Sequence, residues 1–218
     1  NLSNSTGSLI KYNAKGECEW AKEIGSVVIN SIIEMEKGKI VAGGHFGDES
    51  IDLGNGIILD NKGSRDGMVV ELEEVELPNM AVIQAKGIGG NKDEYIQSVA
   101  ETNDGGYVAG GYFYSKSIDL GNGISLSNKG SYDGMLIKYN IHGEIDWAKG
   151  IGGSGYDTIN AVVICNDGGI AVVGSFGEKI ELENGISLSS KGSYGGMLIK
   201  YNIHGEIEWA KSVGTNIK

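Results

Sequence analysis

The chain is short of the groups that phosphate-binding and membrane-spanning proteins depend on. Arg65 is its only arginine, and 29 acidic residues against 18 basic ones give a formal net charge of −11. Affinity for a nucleic-acid backbone comes mostly from clustered Lys and Arg, so nucleic acid is excluded as a partner. A single guanidinium also leaves little capacity for bidentate recognition of carboxylate or phosphate. No apolar run approaches the roughly 18 residues of a membrane-spanning helix. The first residues, Asn1 to Gly7, lack a basic region followed by an apolar stretch, and a chain that starts at Asn reads as processed or truncated. The two cysteines are too few for a disulfide framework. Cys18 and Cys165 are expected to be buried small apolar residues. Such scarcity is compatible with export from a bacterium.

Proline occurs once, as Pro78, whereas glycine occurs 37 times in 218 residues. That is about 17% glycine against a usual value of about 7%, but without a three-residue period or accompanying proline, which excludes collagen. Low-complexity disorder is excluded as well, because 40% of the residues are hydrophobic and only 22% are charged.

Those glycines belong to a repeat. The string Gly134-Met135-Leu136-Ile137-Lys138-Tyr139-Asn140-Ile141-His142-Gly143, continuing to Trp147-Ala148-Lys149, returns almost letter for letter from Gly196 to Lys211. It returns more loosely from Gly7 to Lys22. A decayed copy runs from Gly67 to Lys86, with Gln84 in the tryptophan position and an insertion around Glu73 to Met80. Between the copies stand two further units. One ends in Gly43-Gly44-His45-Phe46, Gly110-Gly111-Tyr112-Phe113 or Val173-Gly174-Ser175-Phe176, and the other begins at Ile51, Ile118 or Ile180.

Each unit reads as strands joined by tight turns. Asp104-Gly105, Asp167-Gly168, Asn55-Gly56, Asn122-Gly123 and Asn184-Gly185 supply the positive φ that hairpin turns need, and His142-Gly143 and His204-Gly205 mark a third hairpin. No segment shows a sustained 3.6-residue apolar period, so the chain is all-β. The nearly continuous apolar runs Ile159 to Cys165 and Gly169 to Val173 predict strands covered on both faces. Four strands per period of about 63 residues describe a β-propeller-type blade with an added hairpin. The predicted organisation is one repeat domain, with a partial blade over 1–25 and repeat units over approximately 26–89, 90–152 and 153–214. Propellers close with about four to eight blades. The ring is therefore incomplete, or completed by self-association of copies.

The strings Asp133 to Asn140, Trp147-Ala148-Lys149, Gly152-Gly153 with Asp157, and Asp167-Gly168-Gly169 resemble the bacterial SBBP-type β-propeller repeats over essentially the whole chain. That resemblance implies a repeat type found in many bacterial secreted and surface proteins, hence an extracellular or cell-surface location, and implies little about activity. Two departures stand out. The second copy lacks the tryptophan and carries the Glu-rich insertion, and the linker Gly25 to Asn30 is about three residues short, which predicts irregular packing near the first blade.

Trp20, Trp147 and Trp209 each follow a turn glycine by four residues and are read as structural, filling gaps between adjacent blades. Their spacing is also similar to the tryptophan-docking motif of quinoprotein propellers, without that motif's Asp in register. Asp52, Asp119 and Glu181 raise a calcium reading, since hard oxygen ligands suit that ion. Each unit offers a single carboxylate, so solvated strand ends are preferred and no cofactor or metal is assigned. Asp104 and Asp167 read as turn formers. No nucleophile with a neighbouring base is visible, and His142 and His204, duplicated around a repeat, read as architectural. Glu73, Glu74 and Glu76, on a lengthened hairpin, are the candidate partner-binding loop. The expected function is a noncatalytic binding or structural module with a protein or glycan ligand. The alternative is part of a quinoprotein-like or glycan-processing propeller enzyme whose reactive groups lie outside this chain.

Overall fold

The computed structural model describes residues 7–76 and 79–214. Among them the chain is all-β, with two single-turn 3-10 segments and no α-helix. Strands β1 (Gly7–Tyr12) and β2 (Cys18–Gly25) form a two-stranded unit. The first complete blade follows. It contains β3 (Val27–Glu34), β4 (Ile40–Phe46), the small hairpin β5 (Ser50–Asp52) with β6 (Ile58–Asp60), then β7 (Asp66–Glu76) and β8 (Asn79–Ile88). The second has β9 (Glu94–Glu101), β10 (Tyr107–Phe113), the hairpin β11 (Ser117–Gly121) with β12 (Ile124–Ser127), β13 (Asp133–Tyr139) and β14 (Ile145–Ile151). The third has β15 (Thr158–Ile164), β16 (Ile170–Glu181), β17 (Ser187–Tyr201) and β18 (Ile207–Val213). Here the added hairpin is fused to the blade, because β16 and β17 stay paired out to Glu181 and Ser187.

Each complete blade is an antiparallel sheet in simple sequence order: β3-β4-β7-β8, β9-β10-β13-β14 and β15-β16-β17-β18. These are propeller-type blades, and among the described residues they form an open stack without ring closure. Local chemistry sets the turns. Asn55, Asn122 and Asn184 have φ of +54°, +53° and +58°, and the glycine after each is also left-handed. This is the turn that keeps two twisted strands in register, and asparagine is among the few side chains that tolerate it.

The cores lie between the sheets. One apolar cluster joins the β1–β2 unit to the first blade, a second joins the first blade to the second, and a third joins the second to the third. Glycine lets the sheets approach. A Cβ on Gly43 would lie 2.6 Å from Ile96 and 2.9 Å from Val99, and one on Gly110 would lie 2.7 Å from Val162 and 2.8 Å from Ile159. Backbone donors cross the same seams. The Val99 N–H reaches the Ser31 hydroxyl and the Val162 N–H reaches the Ser98 hydroxyl, both at 3.1 Å.

Two expectations need correction. The apolar runs of the third blade are covered on one face only. Val163 and Val173 are 54% and 44% exposed, because no sheet follows this blade among the described residues. Cys18 is exposed and Cys165 half-buried, since Cys18 opens β2, an edge strand, and pairs with Tyr12 at an irregularity. The short linker leaves Ser26 alone between β2 and β3, whereas residues 89–93 and 152–157 separate the later blades. The lengthened β7–β8 hairpin packs on the β8 side. Its Met80 is 6% exposed and joins the cluster that buries Trp20 and Val82.

Candidate functional site

The tryptophans sit where blades meet. Trp147 donates its indole N–H to the Ile203 carbonyl at 3.1 Å, and its ring lies so close to Gly205 that a Cβ there would be 3.0 Å away. Gln84, in the same place on the first blade, reaches the His142 carbonyl at 3.2 Å. Trp20 is 6% exposed inside the first cluster, whereas Trp209 on the outer strand β18 is 37% exposed, with Lys211 Nζ 5.6 Å above its ring. Glu73 and Glu74 are exposed on β7, and the Glu76 side chain lies outside the described residues. Asp52 and Asp119 each accept a backbone N–H two residues on, at 2.8 and 2.9 Å, while Glu181 pairs with Lys179 at 2.8 Å. Asp104 and Asp167 accept the N–H of Gly106 and Gly169, which makes them turn formers. His142 and His204 lie on exposed turns whose backbone N–H groups bond Asn140 and Asn202.

A different set of residues converges. Where the second strand of a blade ends, its third strand and the next blade's first strand begin, so side chains from all three collect at one end of the stack. Isolated parallel bridges, Arg65 with Asp93 and Tyr132 with Tyr156, tie each blade to the next at this point. The result is a continuous row of rings: His45–Tyr95 at 4.7 Å, Tyr95–Tyr112 at 5.0 Å, Tyr112–Tyr132 at 5.4 Å, Tyr114–Tyr132 at 4.6 Å, Tyr132–Tyr156 at 5.0 Å and Tyr156–Tyr194 at 6.3 Å. Six of the ten tyrosines are in it. Aromatic residues are therefore concentrated on one surface. The inner members are half-buried, while Tyr156 and Tyr194 are 44% and 59% exposed with ring planes 28° apart.

The strip rests on buried carboxylates adjacent in sequence to its members: Asp133 follows Tyr132, Asp157 follows Tyr156, Glu94 precedes Tyr95, and Asp66 follows Arg65, which holds the Tyr95 hydroxyl. Because successive strand residues point to opposite sides, a side chain that faces out places its neighbour inside. Asp66, Glu94, Asp133 and Asp157 are all 0% exposed and accept loop N–H groups. Asp66 takes that of Lys62 at 3.0 Å, Glu94 those of Gly90 and Ser115 at 2.8 and 3.1 Å, Asp133 that of Lys129 at 3.0 Å, and Asp157 those of Gly153 and Gly177 at 2.8 and 3.0 Å. They pin the loops that present the rings. Glycine is required against them: a Cβ on Gly89 would lie 1.9 Å from the Asp66 carboxylate, and one on Gly152 would lie 2.3 Å from that of Asp133. Burial raises the pKa of all four, that of Asp133 to about 6.

The strip itself is uncharged over most of its length. Burial, reinforced by neighbouring phenols or acids, pushes Tyr95, Tyr112, Tyr114 and Tyr132 above the usual tyrosine value, so these hydroxyls stay protonated. His45 is lowered by burial and by Arg65, and its buried Nδ1 has no protein partner. Arg65 is held by the Tyr95 hydroxyl at 3.0 Å and the Asp93 carboxylate at 3.2 Å. The surface thus offers aromatic faces and hydroxyls with little net charge.

Sequence reasoning missed this strip, although a signal was present. Lys62-Gly63-Ser64-Arg65, Lys129-Gly130-Ser131-Tyr132 and Lys191-Gly192-Ser193-Tyr194 place Arg or Tyr at one repeat position, and His45 and Tyr112 share another. Proximity between different positions of different repeats is what the linear pattern could not supply. Among the described residues no group of three or more His, Cys, Asp or Glu side chains is placed to hold a metal ion.

No protein-family model and no curated protein matches the chain. Among solved structures it is similar to a Dos1 propeller, with 10% identity and a TM-score of 0.36 over 95% of this chain and 66% of that one. The chain thus spans just under two thirds of that propeller. The blade assignment stands on the strand order and seam packing described above.

Proposed function

We propose that the chain is a noncatalytic binding module of a bacterial secreted or cell-surface protein, and that it takes a neutral glycan on the tyrosine strip. The row of rings from His45 to Tyr194 carries this reading. Tyrosine offers a large rigid apolar face with a hydroxyl at its rim, and both suit the faces and hydroxyls of a sugar. Neutral phenols and a net charge of −11 favour an uncharged ligand over an anionic one. The only arginine is already engaged by Tyr95 and Asp93. The extracellular placement rests on the resemblance to SBBP-type repeats.

Retention on immobilised neutral polysaccharides, followed by titration with the oligosaccharide retained, tests the reading. Removing an aromatic anchor at a binding surface costs more than about 1 kcal/mol, and each 1.4 kcal/mol is about tenfold in affinity. Tyr156→Ala combined with Tyr194→Ala is expected to weaken binding at least tenfold with little effect on stability, both rings being exposed. Unchanged affinity in the double variant, or retention of charged polymers only, refutes the assignment.

A further inference from the structure

The β1–β2 unit is a blade without its inner half. In the complete blades, β7, β13 and β17 each lie between an inner and an outer strand, whereas among the described residues β1 pairs with β2 alone. Ile10 and Tyr12 are 50% and 58% exposed, yet their counterparts Val70, Ile137 and Ile199, and Leu72, Tyr139 and Tyr201, are 0–2% exposed. The adjoining face of the first blade is uncovered at matching positions. Ile32 is 47% exposed while Val99 and Val162, at the same register, are 4% exposed, and Ile29 is half-buried where Ile96 and Ile159 are fully buried.

These two surfaces meet, since β1 touches β3. Together they outline a groove continuous with the seams already described. At those seams the equivalent space is filled by an inner hairpin of defined chemistry. Its second strand pairs with the third strand of its own blade, Ile40 to Gly44 against Met68 to Leu72 and Tyr107 to Gly111 against Met135 to Tyr139. Its glycine, Gly43 or Gly110, receives the isoleucine and valine of the next blade, and its serine, Ser31 or Ser98, accepts the next blade's N–H.

We propose that the edge of β1 left unpaired among the described residues and the exposed row Ile29 and Ile32 of β3 form an acceptor site for a β-hairpin of this inner type, from outside the folded chain. The site would be selective. A hairpin that fits carries Gly where Gly43 and Gly110 stand, and Ser where Ser31 and Ser98 stand. Residues 158–176 of this same chain carry Val173 and Ala161 at those two places, and Val173 would strike Ile29 and Ile32. The hairpins that do fit are already built into the first and second blades, so a folded second copy has none to give.

A labelled peptide of residues 94–113, titrated with the whole chain and followed by fluorescence anisotropy, tests the site. Saturable binding is expected, with slowed amide hydrogen exchange in residues 8–12. The same peptide carrying Gly110→Val is expected to bind at least tenfold more weakly, as is the parent peptide to a chain carrying Ile32→Glu. The peptide variant reads selectivity without altering the chain, so a folding defect in Ile32→Glu does not decide the outcome. Equal binding of both peptides overturns the proposal, as does absence of saturable binding. So does light scattering that shows a dimer whose β1 amides are protected before peptide is added, since a second copy would then be the occupant.

Discussion

The Tyr107 hydroxyl donates a 2.8 Å hydrogen bond to the Glu71 carboxylate across the seam between the first and second blades. Both residues are buried, Tyr107 at 0% and Glu71 at 3% exposure, and the other Glu71 oxygen is 2.9 Å from Lys39. The same register position is lysine in the later blades. Lys138 there pairs with Asp104 at 3.0 Å, and Lys200 pairs with Asp167. The first blade places the acid and the lysine the other way round, and the exchange gives the neighbouring blade's phenol a carboxyl acceptor.

That relationship predicts unequal costs at its two ends. Tyr107→Phe removes one hydrogen bond to a charged group, worth about 1.5–3 kcal/mol, and leaves Glu71 paired with Lys39. Glu71→Leu strands both Lys39 and the Tyr107 hydroxyl and is expected to cost about 3–5 kcal/mol. Denaturant unfolding of the two variants measures this. Losses below about 0.5 kcal/mol in both would show that the pair contributes nothing to the seam.

The buried carboxylates beneath the strip make stability depend on pH. Burial raises Asp133 from 3.8 to about 6, so between these values the folded protein holds a proton that the unfolded chain has released. The stabilisation is complete below pH 4 and is lost as pH rises through 6, by an amount on the order of 2–3 kcal/mol. Asp133 Oδ1 has no hydrogen-bond partner in the protein, so an uncharged amide is tolerated there. Asp133→Asn is expected to remove this component, so that its stability relative to the parent rises from pH 4 to 6. A flat difference across that range, or a loss of more than about 2 kcal/mol at pH 7, contradicts the assignment.

Trp147 and Trp209 are copies in sequence and opposites in context. Trp147→Ala removes a ring packed on Gly205 and its hydrogen bond to Ile203, and is expected to cost about 2–4 kcal/mol. Trp209→Ala, at a 37% exposed ring on the last strand, is expected to cost about 1 kcal/mol or less. Thermal melts of both variants decide it. Equal losses would mean that the docking of Trp147 on the following blade is not what holds it.

Much of the fold was legible because it repeats. Asn55, Asn122 and Asn184 announce the same left-handed turn three times, and the tyrosine strip leaves a trace in Arg65, Tyr132 and Tyr194 at one repeat position. The strip as a surface was not legible. Tyr95 and Tyr156 occupy repeat positions different from each other and from the one that His45 and Tyr112 share, and these rings meet because strands from successive blades begin and end at one level. Cys18 and Val173 were misread for a related reason. Apolar or small residues in a strand reveal the strand but not whether another sheet covers it.

The sequence alone determined the strands, the turns and the order of the sheets, since these follow from backbone conformation and near-neighbour pairing that each repeat specifies for itself. The tertiary structure decided which copies are covered and which are not. Tyr139 and Tyr12 share a repeat position, yet one is buried and the other 58% exposed, and only the presence or absence of an adjoining strand makes them differ. Burial depends on the neighbour, and the neighbour's position is not encoded in the repeat that it covers.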